Sequence, residues 1–277
     1  MRFLVLLLCL QPALLSAAPR VVTSIAPLHE ITSAIMTGIA TPQLVIESHH
    51  SAHHFAFKPS HLRRLQQADL VIWVDRYFEA GFNRVPEMLA DSTRRLELLP
   101  ALGIDNGDGH FWYSPRLLQM SITMIGSALT DVDPSNRADY LENAKRLNQA
   151  IAGWRQRFQH RWQDASLRLL TDHGFLSLFA ADLKLFEIAA IQDHHDAQGG
   201  LRDLDRVEKW LGDQPSACLL TLEPTASPLA TSLATKYRLR IVNAIDTSHP
   251  PNTILRRLEQ LESALEICQQ QTTTAAE

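Results

Sequence analysis

Two rhythms alternate along this chain: short, nearly continuous apolar runs, and longer stretches in which apolar residues recur every third or fourth position. The first rhythm is that of strands buried on both faces, the second that of helices with one face in a core. Arg20 to Ile25 reads as a strand, and Pro27 opens a helix that continues to Ile39. Gln43 to Glu47 is a second strand. Ser60 is the expected cap of a helix from His61 to Ala68. Asp69 to Asp75 and Arg95 to Leu99 supply a third and a fourth strand. This order predicts a parallel sheet covered by helices.

From Asp133 to about Asp164 the pattern changes. Ser135 is placed to cap, and Tyr140, Leu141, Ala144, Leu147, Ile151, Trp154 and Phe158 recur at helical spacing. A helix of some 30 residues spans about 45 Å, more than the width of a small domain, so it is read as a link between two lobes. The competing reading is a pair of helices broken at Gly153. Strands then restart at Leu167 to Thr171, Phe186 to Gln192, Ala217 to Leu222 and Arg240 to Ile245. Helices are expected at Leu201–Leu211, Ser227–Tyr237 and Asn252–Cys268, with a frayed tail from Gln269. The fold class is therefore α/β: two parallel-sheet lobes, 19–132 and 165–277, joined by one long rigid helix, 133–164, with a ligand site in the cleft between them.

Composition narrows the functions this frame serves. A formal net charge of -4 with no basic tract makes nucleic acid a poor partner. Residues 1–18 read as a signal peptide: Arg2, an apolar run from Phe3 to Leu10, and small residues at Ser16-Ala17-Ala18. Export to the periplasm follows. With Cys9 removed, Cys218 and Cys268 remain, an even count open to one disulfide in an oxidising compartment or to two buried thiols. The chain has 12 histidines, and they cluster: His49, His50, His53 and His54, then His194 and His195.

Four candidate metal ligands stand at or after expected strands: His53, His110, His173 and Asp246. Their wide spacing is unlike a zinc finger, but loops following parallel strands converge on one edge, where open α/β folds bind ligands. The segment from Ser51 through His53, Lys58-Pro59-Ser60-His61 and Asp69-Leu-Val-Ile-Trp73 resembles the first-ligand signature of the cluster A-I metal-binding proteins of ABC importers. Gly109-His-Phe-Trp-Tyr-Ser-Pro115 is similar to the family's second-ligand motif, and His173-Gly-Phe-Leu-Ser-Leu-Phe179 to its third. Leu222-Glu-Pro224 and Ala244-Ile-Asp246 resemble its later segments, and the Cys218/Cys268 pair fits the same pattern.

The resemblance implies three imidazoles, from His53, His110 and His173, and a carboxylate from Asp246, with Zn(II) as cargo. That set suits a near-tetrahedral d¹⁰ ion, whereas the family's manganese members place a carboxylate at the third position. Glu223 is a possible accessory ligand. His49, His50 and His54 are candidates to collect metal at the cleft mouth, against a plain reading as solvated loop residues. The partner implied is an ABC importer membrane permease with its cytoplasmic ATPase, served by a monomer. The alternatives are a manganese or iron importer component, and a periplasmic zinc store without a transporter. Catalysis is not expected: no Glu adjoins a ligand as a hydrolytic zinc site requires, and no nucleophile elbow surrounds Ser51 or Ser177.

Overall fold

The computed structural model describes residues 17–47, 52, 55–104, 109–165, 167–192, 201–212, 217–246 and 252–274. Most of the signal segment, His49, His50, His53, His54, His194, His195 and His249 lie outside the described residues, as do Asp108 and residues 275–277.

The first half is built from β1 (Val21–Thr23), α1 (Ala26–Ile35), β2 (Gln43–Leu44), α2 (Pro59–Gln66), β3 (Leu70–Trp73), α3 (Val85–Met88), β4 (Arg94–Glu97) and α4 (Leu98–Ala101). Its sheet has the order β2-β1-β3-β4 with all pairs parallel, Val22 lying beside both Gln43 and Val71. Two long helices follow, α5 (Pro115–Val132) and α6 (Arg137–Trp162). The second half contains β5 (Arg168–His173), α7 (Ser177–Leu183), β6 (Glu187–Gln192), α8 (Leu201–Leu211), β7 (Ala217–Thr221), α9 (Pro228–Tyr237), β8 (Ile241–Asn243) and α10 (Ile254–Thr274). Its parallel sheet, β6-β5-β7-β8, repeats the order of the first, edge strand for edge strand.

The strands form where apolar runs leave no polar face. All four residues of β3 are buried, and Leu169, Leu170, Leu219 and Leu220 at the centre of the second sheet are fully buried. One continuous core runs from Val21 and Leu70 through Ile122, Ile151 and Phe158 to Leu169, Leu220 and Leu261. The helix α6 is unbroken at Gly153 and carries Trp154, Phe158 and Trp162 on one face. Phe158 and Trp162 meet Phe179 and Phe186 of the second lobe, with Phe158 at 5.6 Å from Phe179. Among the described residues no helix is long and apolar enough to cross a membrane.

Several expectations need correction, and the first helix ends at Ile35, not at Ile39. The helix α2 starts at Pro59, not after Ser60, and its first turn is closed by the Lys58 N–H donating to Nδ1 of His61 at 3.2 Å. His61 is thereby half-buried beside Phe55. Ser135 does not cap α6; a 3-10 turn over Pro134–Asn136 precedes it, and Asp133 accepts from Asn136 Nδ2 and the Tyr140 hydroxyl. At the C-terminal end α10 runs on to Thr274, beyond the expected fraying point.

Cys218 on β7 and Cys268 on α10 are joined by a disulfide with a Cα–Cα distance of 5.5 Å, closing a 50-residue separation. A cross-link of that span stabilises chiefly by restricting the unfolded chain. Converting both cysteines to alanine is expected to cost about 2–4 kcal/mol. Urea unfolding of the variant beside the oxidised parent checks this, and equal midpoints would contradict it.

Candidate metal centre

His110 and His173 reach one place from opposite halves of the chain. His110 ends the segment that follows α4 and opens a 3-10 turn, Phe111–Tyr113, whose three aromatic residues are all buried. Ser114 then closes the turn and caps α5, its Oγ accepting from the Leu117 N–H at 3.3 Å, while Pro115 occupies the first helical position. His173 is the last residue of β5, at the C-terminal edge of the second sheet. The two ring centroids lie 5.2 Å apart. Two imidazoles on one tetrahedral zinc, each nitrogen about 2.0–2.1 Å from the ion, place their ring centres roughly 5 Å apart. The observed spacing thus already fits a shared ion of that size.

Aromatic side chains wall the pair. The His110 ring, only 4% exposed, is edge-on to Phe78 at 5.2 Å and to Trp112 at 5.0 Å. Phe175 bridges the two histidines, at 6.1 Å from His110 and 5.3 Å from His173. Trp112 fills the wall behind His110. Gly109 is needed here for space: a β-carbon at that position would collide with the Phe78 ring. Such a shell keeps bulk water away and strengthens any bond formed inside it.

The Phe78 wall is anchored by acids at the end of β3. Asp75 Oδ1 accepts from the N–H groups of Tyr77 at 2.9 Å and Phe78 at 2.6 Å. Glu79 Oε2 accepts from the Val74 N–H at 2.7 Å, and the side chain is fully buried. Burial pushes the Glu79 carboxyl up from 4.5 to about 8, so it is a neutral acid at pH 7. The folded value exceeds the unfolded one, so folding is favoured most below about 4.5 and loses stability as the pH rises toward 8. Glu79→Gln keeps an acceptor for Val74 and removes the titration. Its melting temperature is expected to gain on the parent between pH 5 and 8 and to level off above. A gap that stays constant with pH would refute that role.

On the second lobe the loops at the sheet edge are knit together. Asp172, buried beside His173, accepts from Ser227 Oγ at 2.6 Å and from the Ser227 N–H at 2.9 Å, and Ser227 Oγ in turn caps α9. Glu223, exposed after β7, is held by its backbone: its N–H donates to Thr221 Oγ1 and its carbonyl accepts from Asn243 Nδ2. Asp246 lies exposed just beyond β8, at the same edge as His173.

The histidine pair is therefore what the structure brings together. His53 and the accessory His49, His50 and His54 lie outside the described residues. Among the described residues no three His, Cys, Asp or Glu side chains form a group able to hold a metal. The sequence reading missed Phe78, Phe175 and Glu79. The aromatics flank histidines only through tertiary packing, though Phe175 stands two residues after His173 in a segment already singled out.

Comparison with known proteins meets this geometry. Residues 21–264 match the model of the family described as zinc-uptake complex component A, periplasmic, ZnuA. A high-affinity zinc uptake system protein ZnuA from Haemophilus ducreyi is 22% identical over 260 residues, covering 82% of this chain and 84% of that protein. Among solved structures, the periplasmic zinc binding protein TroA from Treponema pallidum is similar with a TM-score of 0.77 and 14% identity, over 89% of this chain and 99% of that one. A manganese-bound periplasmic metal binding protein from Candidatus Liberibacter asiaticus gives a TM-score of 0.74 at 18% identity, over 90% and 98%. At such identities the solved structures speak to the fold, which they share with the two four-stranded sheets and the long helix described above.

Proposed function

This chain belongs to the zinc-uptake complex component A periplasmic family, and we propose on that premise that it captures Zn(II) between its lobes and delivers it to the membrane permease of an ABC importer. It is a periplasmic metal-binding protein of the cluster A-I solute-binding type. The observation that carries the zinc reading is the His110–His173 pair, one ring from each lobe, 5.2 Å apart in an aromatic pocket. In this proposal His53 and Asp246 complete the coordination from loops at the two sheet edges, and Glu223 is an accessory carboxylate. His49, His50 and His54 gather metal at the rim. The signal peptide at 1–18, the lobes 19–132 and 165–277 and the link 133–164 keep the bounds given above, and the protein acts as a monomer with the permease and its ATPase.

Nitrogen donors support zinc over manganese, because imidazole suits the former and carboxylate the latter. Four protein ligands close the coordination sphere, which suits carriage and leaves no position for a catalytic water. The test is metal content after refolding the mature protein with equimolar zinc, manganese and iron. One tightly held zinc per chain is the expected result. Manganese in its place overturns the cargo but keeps the carrier, and no bound metal overturns the site. Delivery is tested by zinc uptake in cells lacking this chain and complemented with it; unimpaired uptake without it would favour a store.

A further inference from the structure

We infer that Asp182 sets the distance between His110 and His173, a positioning role that rests on reading those histidines as metal ligands. Asp182 belongs to α7 of the second lobe, yet its partners belong to the other side. Its Oδ2 accepts from Ser114 Oγ at 2.9 Å and from the Arg116 N–H at 2.8 Å. Its Oδ1 accepts from Arg155 Nη2 on α6 at 3.1 Å, and the carboxylate is only 5% exposed. One buried side chain thus ties together the start of α5, the linking helix and the second lobe.

The ties to each histidine are short and stiff. On one side, Ser114 is separated from His110 by the buried turn Phe111-Trp112-Tyr113. The Ser114 hydroxyl donates to Asp182 while its oxygen accepts from Leu117, so its orientation is fixed from both directions. On the other side, α7 follows β5 within a few residues, and Phe175, Leu176 and Phe179 between His173 and Asp182 are fully buried. A shift at the carboxylate therefore passes to the rings without slack, since close-packed interiors transmit strain.

The charge of Asp182 is satisfied locally by Arg155 and two further donors, so it acts on the site through geometry and not through its field. Zinc accepts imidazole nitrogens only within a narrow range near 2.0–2.1 Å, which makes a displacement of even an ångström costly. Asparagine at this position retains one acceptor oxygen but sets an NH₂ group against Arg155, donor to donor. Ser114→Ala removes one of the three bonds and leaves the Arg155 pair.

The experiment compares the parent, Asp182→Asn, Asp182→Ala and Ser114→Ala as mature full-length proteins. The metal-free readout is the proton NOE between the His110 and His173 rings, expected in the parent, weakened in Ser114→Ala and lost in the Asp182 variants. The metal readouts are zinc affinity by chelator competition, expected to fall about 10–100-fold, and the visible spectrum of the cobalt-loaded protein, expected to lose its tetrahedral bands. Thermal melting identifies variants that do not fold, and Ser114→Ala carries the test if both Asp182 variants fail. A preserved NOE and unchanged spectrum in a folded variant would overturn the proposal, whatever happens to the melting temperature. If the NOE responds as expected but the parent takes up no zinc, the positioning role stands and the metal reading falls.

Discussion

Replacing His173 with alanine is expected to weaken zinc binding by at least about a thousandfold, or about 4.1 kcal/mol. The figure follows from what surrounds the ring. Outer partners that merely orient a ligand already contribute 10–100-fold to metal affinity, and a direct ligand contributes more. His173 is fixed at the end of β5, and Phe175 packs 5.3 Å from its ring on one side, so an apolar neighbour faces the gap that alanine would leave. His110→Ala is expected to match it, because that ring is the opposite half of the same pair. Zinc takes only neutral imidazole, so protons compete with it, parent affinity should itself fall as the pH is lowered, and the gap between parent and variant should narrow there. Competition against a chromogenic chelator at several pH values measures both effects. Retention of affinity within tenfold in either variant would mean that the 5.2 Å pair is not the site.

How far the sequence reveals this arrangement depends on which forces set each part. Strands such as β3 are legible because all four residues are buried and a continuous apolar run has little else to become. Helix α8 is legible to its ends, Leu201–Leu211, because one strongly apolar face alternates with charge. Helix α5 was not anticipated, although Ser114-Pro115 is a cap followed by a favoured first residue. It is buried on several sides, and Ser121, Gly126, Ala128 and Thr130 share its interior with Leu and Ile, which blurs the helical period. In the site, His110 and His173 were found through motifs whose order along the chain matches a family. Phe78, Phe175 and Asp182 were not, because nothing local marks a phenylalanine that packs on a ligand ring or an aspartate whose serine partner lies 68 residues away. Such contacts are set by the packing of two lobes.

The same separation in sequence governs the second large effect. Replacing Arg257 with methionine is expected to destabilise the fold by about 3–5 kcal/mol, through the acid left behind. Arg257, at the start of α10, donates Nη2 to Glu30 Oε1 at 2.6 Å and Nε to Glu30 Oε2 at 3.1 Å. The partners are 227 residues apart and join α1 of the first lobe to the helix that covers the second. Both are buried, at 4% and 9% exposure. Burial raises the Glu30 carboxyl above its usual range even while Arg257 pulls it back down. Without the guanidinium that restraint is gone, and a buried carboxylate is stranded at neutral pH. The folded pKa is raised, so the deficit should be full at high pH and shrink as the pH falls through the raised value, where the folded acid takes its proton. Urea unfolding at pH 8 and pH 5 reads this directly. The double variant Glu30→Gln, Arg257→Met separates the alternatives. A well-packed neutral pair is expected to recover most of the loss, since a buried ion pair contributes little beyond the uncharged equivalent once its own desolvation is counted. If the double variant is as unstable as Arg257→Met alone, the contribution of Arg257 is packing at the lobe junction and not compensation of Glu30.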